Sequence, residues 1–198
     1  MKTLTFYFAL RSPYSALASD IVHEAAESGA FTGKAAFRIA PFGAPGTGFQ
    51  DPTSNPLKLR YMMQDLPRLY AARGLSVTVP DPFQVDFSIA AKLALAAQRD
   101  DLGLGYLRAI SLLRWSEGRN VAEAEVLLEA AERAGWSIAA AERALTDVEL
   151  DQAYEAAIAA GEAAGVFGVP FFIVTDGDAQ EPFWGQDRWP MVAAALAG

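Results

Sequence analysis

A chain of 198 residues, 52% hydrophobic and 20% charged, can bury one substantial core, or a core interrupted by a sizeable insertion. Its formal charge of -8 and the lack of any Lys/Arg block exclude a partner as polyanionic as duplex nucleic acid, which is bound through clustered cations. Cysteine is absent and histidine occurs once, at His23, so disulfides, cysteine nucleophiles, thiolate metal sites and imidazole zinc clusters are excluded, and any thiol in the chemistry must be brought in.

Residues 3–9, "TLTFYFA", are β-branched and aromatic over a strand's length and predict a first strand buried on both faces. Lys2 before an apolar stretch, with "ALA" at 16–18, imitates a secretory signal; the apolar run at 4–10 is short and closed by Arg11 and Pro13, so a cytoplasmic protein is expected. Ser12 stands where an N-cap belongs and Pro13 where the first helical residue belongs, ahead of "YSALASDIVHEAAES" and Gly29. A strand therefore runs directly into a helix. After Gly33, "KAAFRIAPF" predicts a second strand, parallel to the first across a right-handed crossover. The loop "GAPGTGFQDPTSNP" is rich in Gly and Pro and longer than a plain connection needs, which marks it as a functional candidate.

From residue 57 to about 143 the signals are nearly all helical: "LKLRYMMQDLPRLYAARG", "DFSIAAKLALAAQRDDLG", "GYLRAISLLRWSEG" and "NVAEAEVLLEAAERAG", the last opened by Asn120 and Glu123 in the manner of a capping box. "VELDQAYEAAIAAGEAAG" is then a helix closed by glycine, "VPFFIVT" a short buried strand, "DGDAQE" a turn, "PFW" a second short strand and "DRWPMVAAALAG" a terminal helix. The order is βαβ, helical insert, αββα, with residues 1–42 and 149–198 expected to form one domain and 43–148 an inserted helical one. No stretch is long and apolar enough to span a bilayer, and no membrane partner is expected.

A βαβ unit joined to a ββα unit, with "S-P-Y-S" opening the first helix and Val169-Pro170 just before the third strand, resembles the thioredoxin arrangement. The fold class is read as α/β, thioredoxin-like, with a large all-helical insertion that makes it DsbA-like. Redox members of that superfamily open the first helix with Cys-x-x-Cys; here Ser12 and Ser15 replace both sulfurs. Five stretches narrow the resemblance: "SPYS" at 12–15, "LKLRYMMQDLPRL" at 57–69, "WSEGRN" at 115–120, "GVFGVPFFIV" at 165–174 and "FWGQDR" at 183–188. Together they resemble the kappa-class glutathione transferases and, more closely, the 2-hydroxychromene-2-carboxylate isomerases.

The resemblance implies glutathione as cofactor. Ser12 would activate its thiol, aided by the open N-H groups and positive dipole end of the first helix. Val169, before a cis Pro170, would pair with the cysteinyl backbone of glutathione in the manner of strand addition. Asp187 would take the γ-glutamyl amino group, the N-H groups of Gln186 or Asp187 its carboxylate, and Lys58 the glycine carboxylate. Ser12 and Asp187 are equally good helix caps, and Lys58 could simply lie on a solvated helix face. Asn55 is only a weak match to the family's asparagine, Arg119 is read as structural, pairing with Glu117 or a helix end, and His23 is too far along its helix to act as a base. Where relatives show "D-F-L-S-P", this chain has Ala9, Leu10 and Arg11, so Arg11 is a candidate for a substrate carboxylate, with Tyr14 and Tyr61 beside it. Phe49, Trp115 and Trp184 are candidates for lining an acceptor pocket, or for ordinary packing.

The expected function is glutathione-dependent cis-trans isomerisation of 2-hydroxychromene-2-carboxylate or a similar aromatic keto acid, so the expected partner is a small aromatic carboxylate substrate. A kappa-like transferase and a non-catalytic thioredoxin-like binding module share the same residues and stay open. Relatives are often dimeric, which makes a homodimer an expectation of the resemblance.

Overall fold

β1 (Lys2–Phe8) has the aromatic, β-branched composition of a central strand, and its Leu4, Phe6, Tyr7 and Phe8 are all buried. The computed structural model describes residues 2–31, 35–43, 48 and 50–197. β1 runs through the turn at Leu10 and Arg11 into α1 (Pro13–Glu27), whose N-cap is Ser12. β2 (Ala35–Pro41) pairs parallel to β1, as a helical crossover demands. After α2 (Pro56–Ala71), α3 (Ser88–Arg99), α4 (Gly103–Trp115), α5 (Ala124–Arg133), α6 (Ile138–Ala144) and α7 (Glu149–Ala163) come β3 (Phe171–Asp176), β4 (Ala179–Trp184) and α8 (Trp189–Ala197). The sheet order is β2-β1-β3-β4, with β3 antiparallel to both of its neighbours. This is an α/β, thioredoxin-like sheet with a run of helices inserted between β2 and α7.

Alternation along the strands assigns the two faces. Leu4, Phe6 and Phe8 share one face with Phe172, Val174 and Phe183, and pack with Val22 of α1 and with Val192 and Leu196 of α8. The Phe6 and Phe172 rings stack at 4.9 Å. Tyr7, Ala40, Phe171 and Ile173 share the other face with Val166, just past α7. There Gly161 is required by close approach, since a Cβ would lie 3.0 Å from the Tyr7 ring.

Both sheet edges are protected. At β2, the side-chain oxygen of Gln98 on α3 accepts from the Ile39 N-H. At β4, Pro182 interrupts an exposed edge that also carries Glu181, which discourages further strand addition. Asp20 of α1, 5% exposed, accepts from Arg73 Nε at 2.6 Å and Arg108 Nε at 2.8 Å, tying α1 to the end of α2 and to α4. Fully buried Arg114 has carbonyls for partners, Phe83 at 2.6 Å and Arg119 at 3.3 Å, and lies over the Phe87 ring.

Three sequence expectations are corrected. α5 begins at Ala124, because Asn120 spends its side chain on the Ala122 N-H and on Glu123, closing a turn instead of capping a helix. β4 is six residues long, since only Gly177 and Asp178 make the turn, so "AQE" belongs to the strand. Arg119 is structural, but its carboxylates are Glu129 at 3.1 Å and Glu125 at 3.5 Å; Glu117 pairs with Arg133.

A Cβ at Gly103, where α4 turns out of α3, would fall 2.7 Å from Gln98 Cβ and 2.9 Å from its Cα. Gly103→Ala is therefore expected to push apart the α3–α4 turn that protects β2 and to cost about 2 kcal/mol. A lower denaturant midpoint at unchanged slope would register it; an unchanged midpoint would show that the turn yields freely.

Candidate functional site

Strand register sets the site. Tyr7 pairs with Phe171 and Phe171 with Trp184, so the exit of β1, the approach to β3 and the exit of β4 lie at one end of the sheet. Ser12, Val169-Pro170 and Gln186-Asp187 are carried there together. The Gly185 N-H donates to Pro170 O at 2.9 Å, and the 3-10 turn Gln186–Arg188 lies against α1. The Val169-Pro170 bond is cis, as the resemblance implies.

Ser12 is an N-cap whose Oγ accepts from the Ser15 N-H at 3.2 Å, while its carbonyl accepts from Ala16 N-H at 3.2 Å. Because this oxygen is the acceptor, the Ser12 hydroxyl hydrogen is left for a group outside the helix. Ser15 lies beneath, 2% exposed, with its Oγ accepting from Ala9 N-H at 3.3 Å. One serine faces outward and the other fastens the turn. Pro13 has no N-H, and the Tyr14 N-H has no acceptor among the described residues, so the first turn offers an open donor.

Val169 is half-buried, and neither its N-H nor its C=O is hydrogen-bonded among the described residues. The Gln186 and Asp187 N-H groups are likewise open. The Asp187 side chain is 61% exposed, with Arg188 at 3.5 Å. Gly185 precedes it at φ +113, a conformation that favours glycine.

α2 is anchored to the start of α1. The Tyr70 hydroxyl donates to Pro13 O at 2.9 Å, inside a cluster of Ala16, Leu17, Leu66 and Trp115. Burial, with the Asp20 charge next, pushes the Tyr70 phenol well up, so it remains a donor. Tyr14 packs at the rim of this cluster; burial raises its phenol first, then Asp65 and Tyr61, which places Tyr61 within its electrostatic reach. Tyr61 itself is 59% exposed. Lys58 is exposed and has no carboxylate partner among the described residues. Asn55 is the N-cap of α2, accepting from Leu57 and Lys58 N-H at 3.0 and 3.3 Å.

Arg11 has a partner that the sequence reading missed. Its Nη2 pairs with Asp51, whose other oxygen accepts from Thr53 N-H at 2.9 Å and Thr53 Oγ1 at 2.7 Å. "D-P-T" is an Asx-turn signal and was available as such. Trp115 is 4% exposed and its Nε1 donates to Leu10 O at 2.9 Å, so it supports the loop from below and does not line a pocket. Trp184 is 57% exposed and meets Phe167 edge-on at 5.0 Å. Phe49 lies outside the described residues. His23 sits farther along α1, in a cavity of about 470 Å³ with Asp20, Glu24, Glu27, Arg73 and Arg108, away from Ser12.

The sequence matches the family of DSBA-like thioredoxin domains over residues 3–197. The chain belongs to that family. Among solved structures, a 2-hydroxychromene-2-carboxylate isomerase is similar at TM-score 0.80 and 22% identity, covering 98% of this chain and 94% of the other. The cytosolic disulfide reductase DsbM from Pseudomonas aeruginosa is similar at TM-score 0.68 and 22% identity, with 98% and 96% covered. Its structure with glutathione gives TM-score 0.66 at the same identity and coverage. No curated protein matches the chain. At such identities the likeness establishes the fold. Lacking cysteine, this DSBA-like chain has no thiol-disulfide activity of its own.

Burial raises the Asp51 carboxyl, but the two Thr53 bonds and the Arg11 charge outweigh it, so its pKa is held below the ordinary carboxylate range. A lowered folded-state pKa adds stability that is present at neutral pH. That stability starts to fall as the unfolded carboxyl titrates near ~3.9 and is lost as the pH drops through the folded value. Asp51→Asn should therefore be less stable than the parent at pH 7, with the gap narrowing as the pH falls below the ordinary carboxyl value of ~3.9. Paired urea melts across that range check it; a gap independent of pH would contradict it.

Proposed function

We propose that the chain binds glutathione at this end of the sheet and is a glutathione-dependent cis-trans isomerase acting on 2-hydroxychromene-2-carboxylate or a similar aromatic keto acid. The observation that carries this reading is the pairing, in a DSBA-like chain without cysteine, of an outward Ser12 hydroxyl with the open N-H and C=O of Val169 at the same sheet end. The surrounding groups fit the tripeptide by charge. Asp187 meets its ammonium, the Gln186 and Asp187 amides its α-carboxylate, Lys58 its glycine carboxylate, and Val169 its central peptide units.

When bound, glutathione supplies a thiol that can add reversibly to a conjugated carbon, so that a double bond becomes a single one free to rotate. The chain's own part is to hold and to ionise. Ser12 donates its hydroxyl hydrogen to the sulfur, and the Tyr14 N-H and the α1 dipole favour negative charge at the same place. Together they lower a thiol pKa that starts near ~8.5, as helix N-termini do for cysteine. Arg11, with Nε and Nη1 unclaimed among the described residues, is offered to the substrate carboxylate, and the Tyr14–Tyr61 pair flanks that approach. The cytoplasm, where reduced glutathione is plentiful, is the compartment this chemistry requires; among the described residues no helix is long and apolar enough to cross a membrane.

Calorimetric titration with reduced glutathione tests the reading. Saturable binding is expected, weakened roughly 10- to 100-fold in Asp187→Ala, the cost of one charge-assisted contact. In Ser12→Ala the affinity should change little while the pKa of the bound thiol, read from thiolate absorbance, rises toward its free value. Glutathione-dependent interconversion of the isomers then separates this reading from a transferase, which would release the adduct. No binding at millimolar glutathione would remove both enzyme readings and leave a binding module.

A further inference from the structure

The first turns of α2 are poorly held. Residues 56–61 are all exposed, with Leu57 at 68% and Tyr61 at 59%; Met62 is partly buried against the Tyr70 cluster, and the first fully buried side chain is Leu66. Yet this overhanging end carries Lys58. The buried anchor, Tyr70 to Pro13, lies near the opposite end of the helix.

What reaches the free end is a continuous set of bonds that starts beside Ser12. Arg11 pairs with Asp51; Asp51 takes the Thr53 N-H and hydroxyl and caps the 3-10 turn Pro52–Ser54, and the Ser54 hydroxyl donates back to Asp51 O at 2.7 Å. The turn ends at Asn55, which caps α2 by accepting from the N-H of Lys58 itself. Every residue from 51 to 55 is thus either a proline or joined by a bond to its neighbours. A short segment bonded at each member transmits position better than an open loop would.

We infer that Arg11 is a positioning residue: through its ion pair with Asp51 it fixes the start of α2, and with it Lys58, at a set distance from Ser12. The inference rests on the proposed glutathione site and assigns a role to a residue outside the family-like motifs. Preorganising the lysine spares binding the cost of ordering an exposed helix end, so the effect falls on the glycine carboxylate of glutathione and on nothing else in the tripeptide.

The test compares two probes, reduced glutathione and γ-glutamylcysteine, which lacks the glycine and its carboxylate contact. Arg11→Gln and Asp51→Asn, the latter keeping the Thr53 acceptor, should each weaken glutathione roughly five- to tenfold and leave γ-glutamylcysteine unchanged. The double variant should be no weaker than either single one, and Lys58→Ala should show the same ligand profile. Glutathione affinity unchanged in both single variants overturns the inference. Equal loss of both probes overturns it too, since damage to the loop or a direct contact elsewhere would explain the loss. If the parent protein binds neither probe, the glutathione site itself fails, and the inference with it.

Discussion

The candidate site exists because β1 pairs on both sides at once, parallel with β2 and antiparallel with β3. The parallel partner forces a helix to cross over immediately after β1, which puts the α1 N-terminus at the strand's exit. The antiparallel partner brings the approach to β3 to the same exit, and β4 returns its own C-terminal end there. Ser12, Val169 and Asp187 are far apart in sequence, and this pairing alone makes them neighbours. The stacked rings of Phe6 and Phe172 hold β1 to β3 on one face, and the close approach of Gly161 to Tyr7 seats α7 on β1 from the other.

Around that centre the helices are fastened by polar bonds of two kinds. Buried ones set the frame: Asp20 between two arginines, Tyr70 on Pro13, Trp115 on Leu10, and Arg114 on loop carbonyls. Each leaves a costly unpaired group if broken, so each specifies one arrangement. The half-exposed pair of Arg11 and Asp51 is cheaper to break, and it joins the same turn that Tyr70 and Trp115 hold from beneath.

Much of this could be read from residues. The apolar β1, the Ser-Pro start of α1, the Gly-closed helices and the βαβ-insert-αββα order each follow local rules of propensity and capping, and the strands and most helices lie within a few residues of the expected spans. Local chemistry misled where a side chain had two uses. Asn120 could cap a helix or close a turn, and packing of Val121 in the core favours the turn. Arg11 read as a free cation because its partner, Asp51, is forty positions away, and nothing in a sequence reports which distant charge a side chain will meet. Trp115 could be read as pocket lining or as packing, and what decides for packing, its carbonyl partner at Leu10, is a tertiary fact. Interactions closing within a few residues were visible, and those closing across the fold were not.

The position of β1 also bears on how the molecule comes into being. The strand is made before β3, one of its two partners, and the inserted helices lie between the two in the chain. During synthesis its open side, with apolar Leu4, Phe6 and Phe8, must stay uncommitted while all the inserted helices emerge and pack among themselves. Lys2, which donates to Ala195 O on α8, finds its partner only once α8 has been made. Sheet closure at the candidate site therefore waits on β3, whose pairing with β1 is long-range in sequence. A chain stalled before residue 171 would display a strand edge and an apolar face together, the combination that holding chaperones recognise and that aggregation exploits.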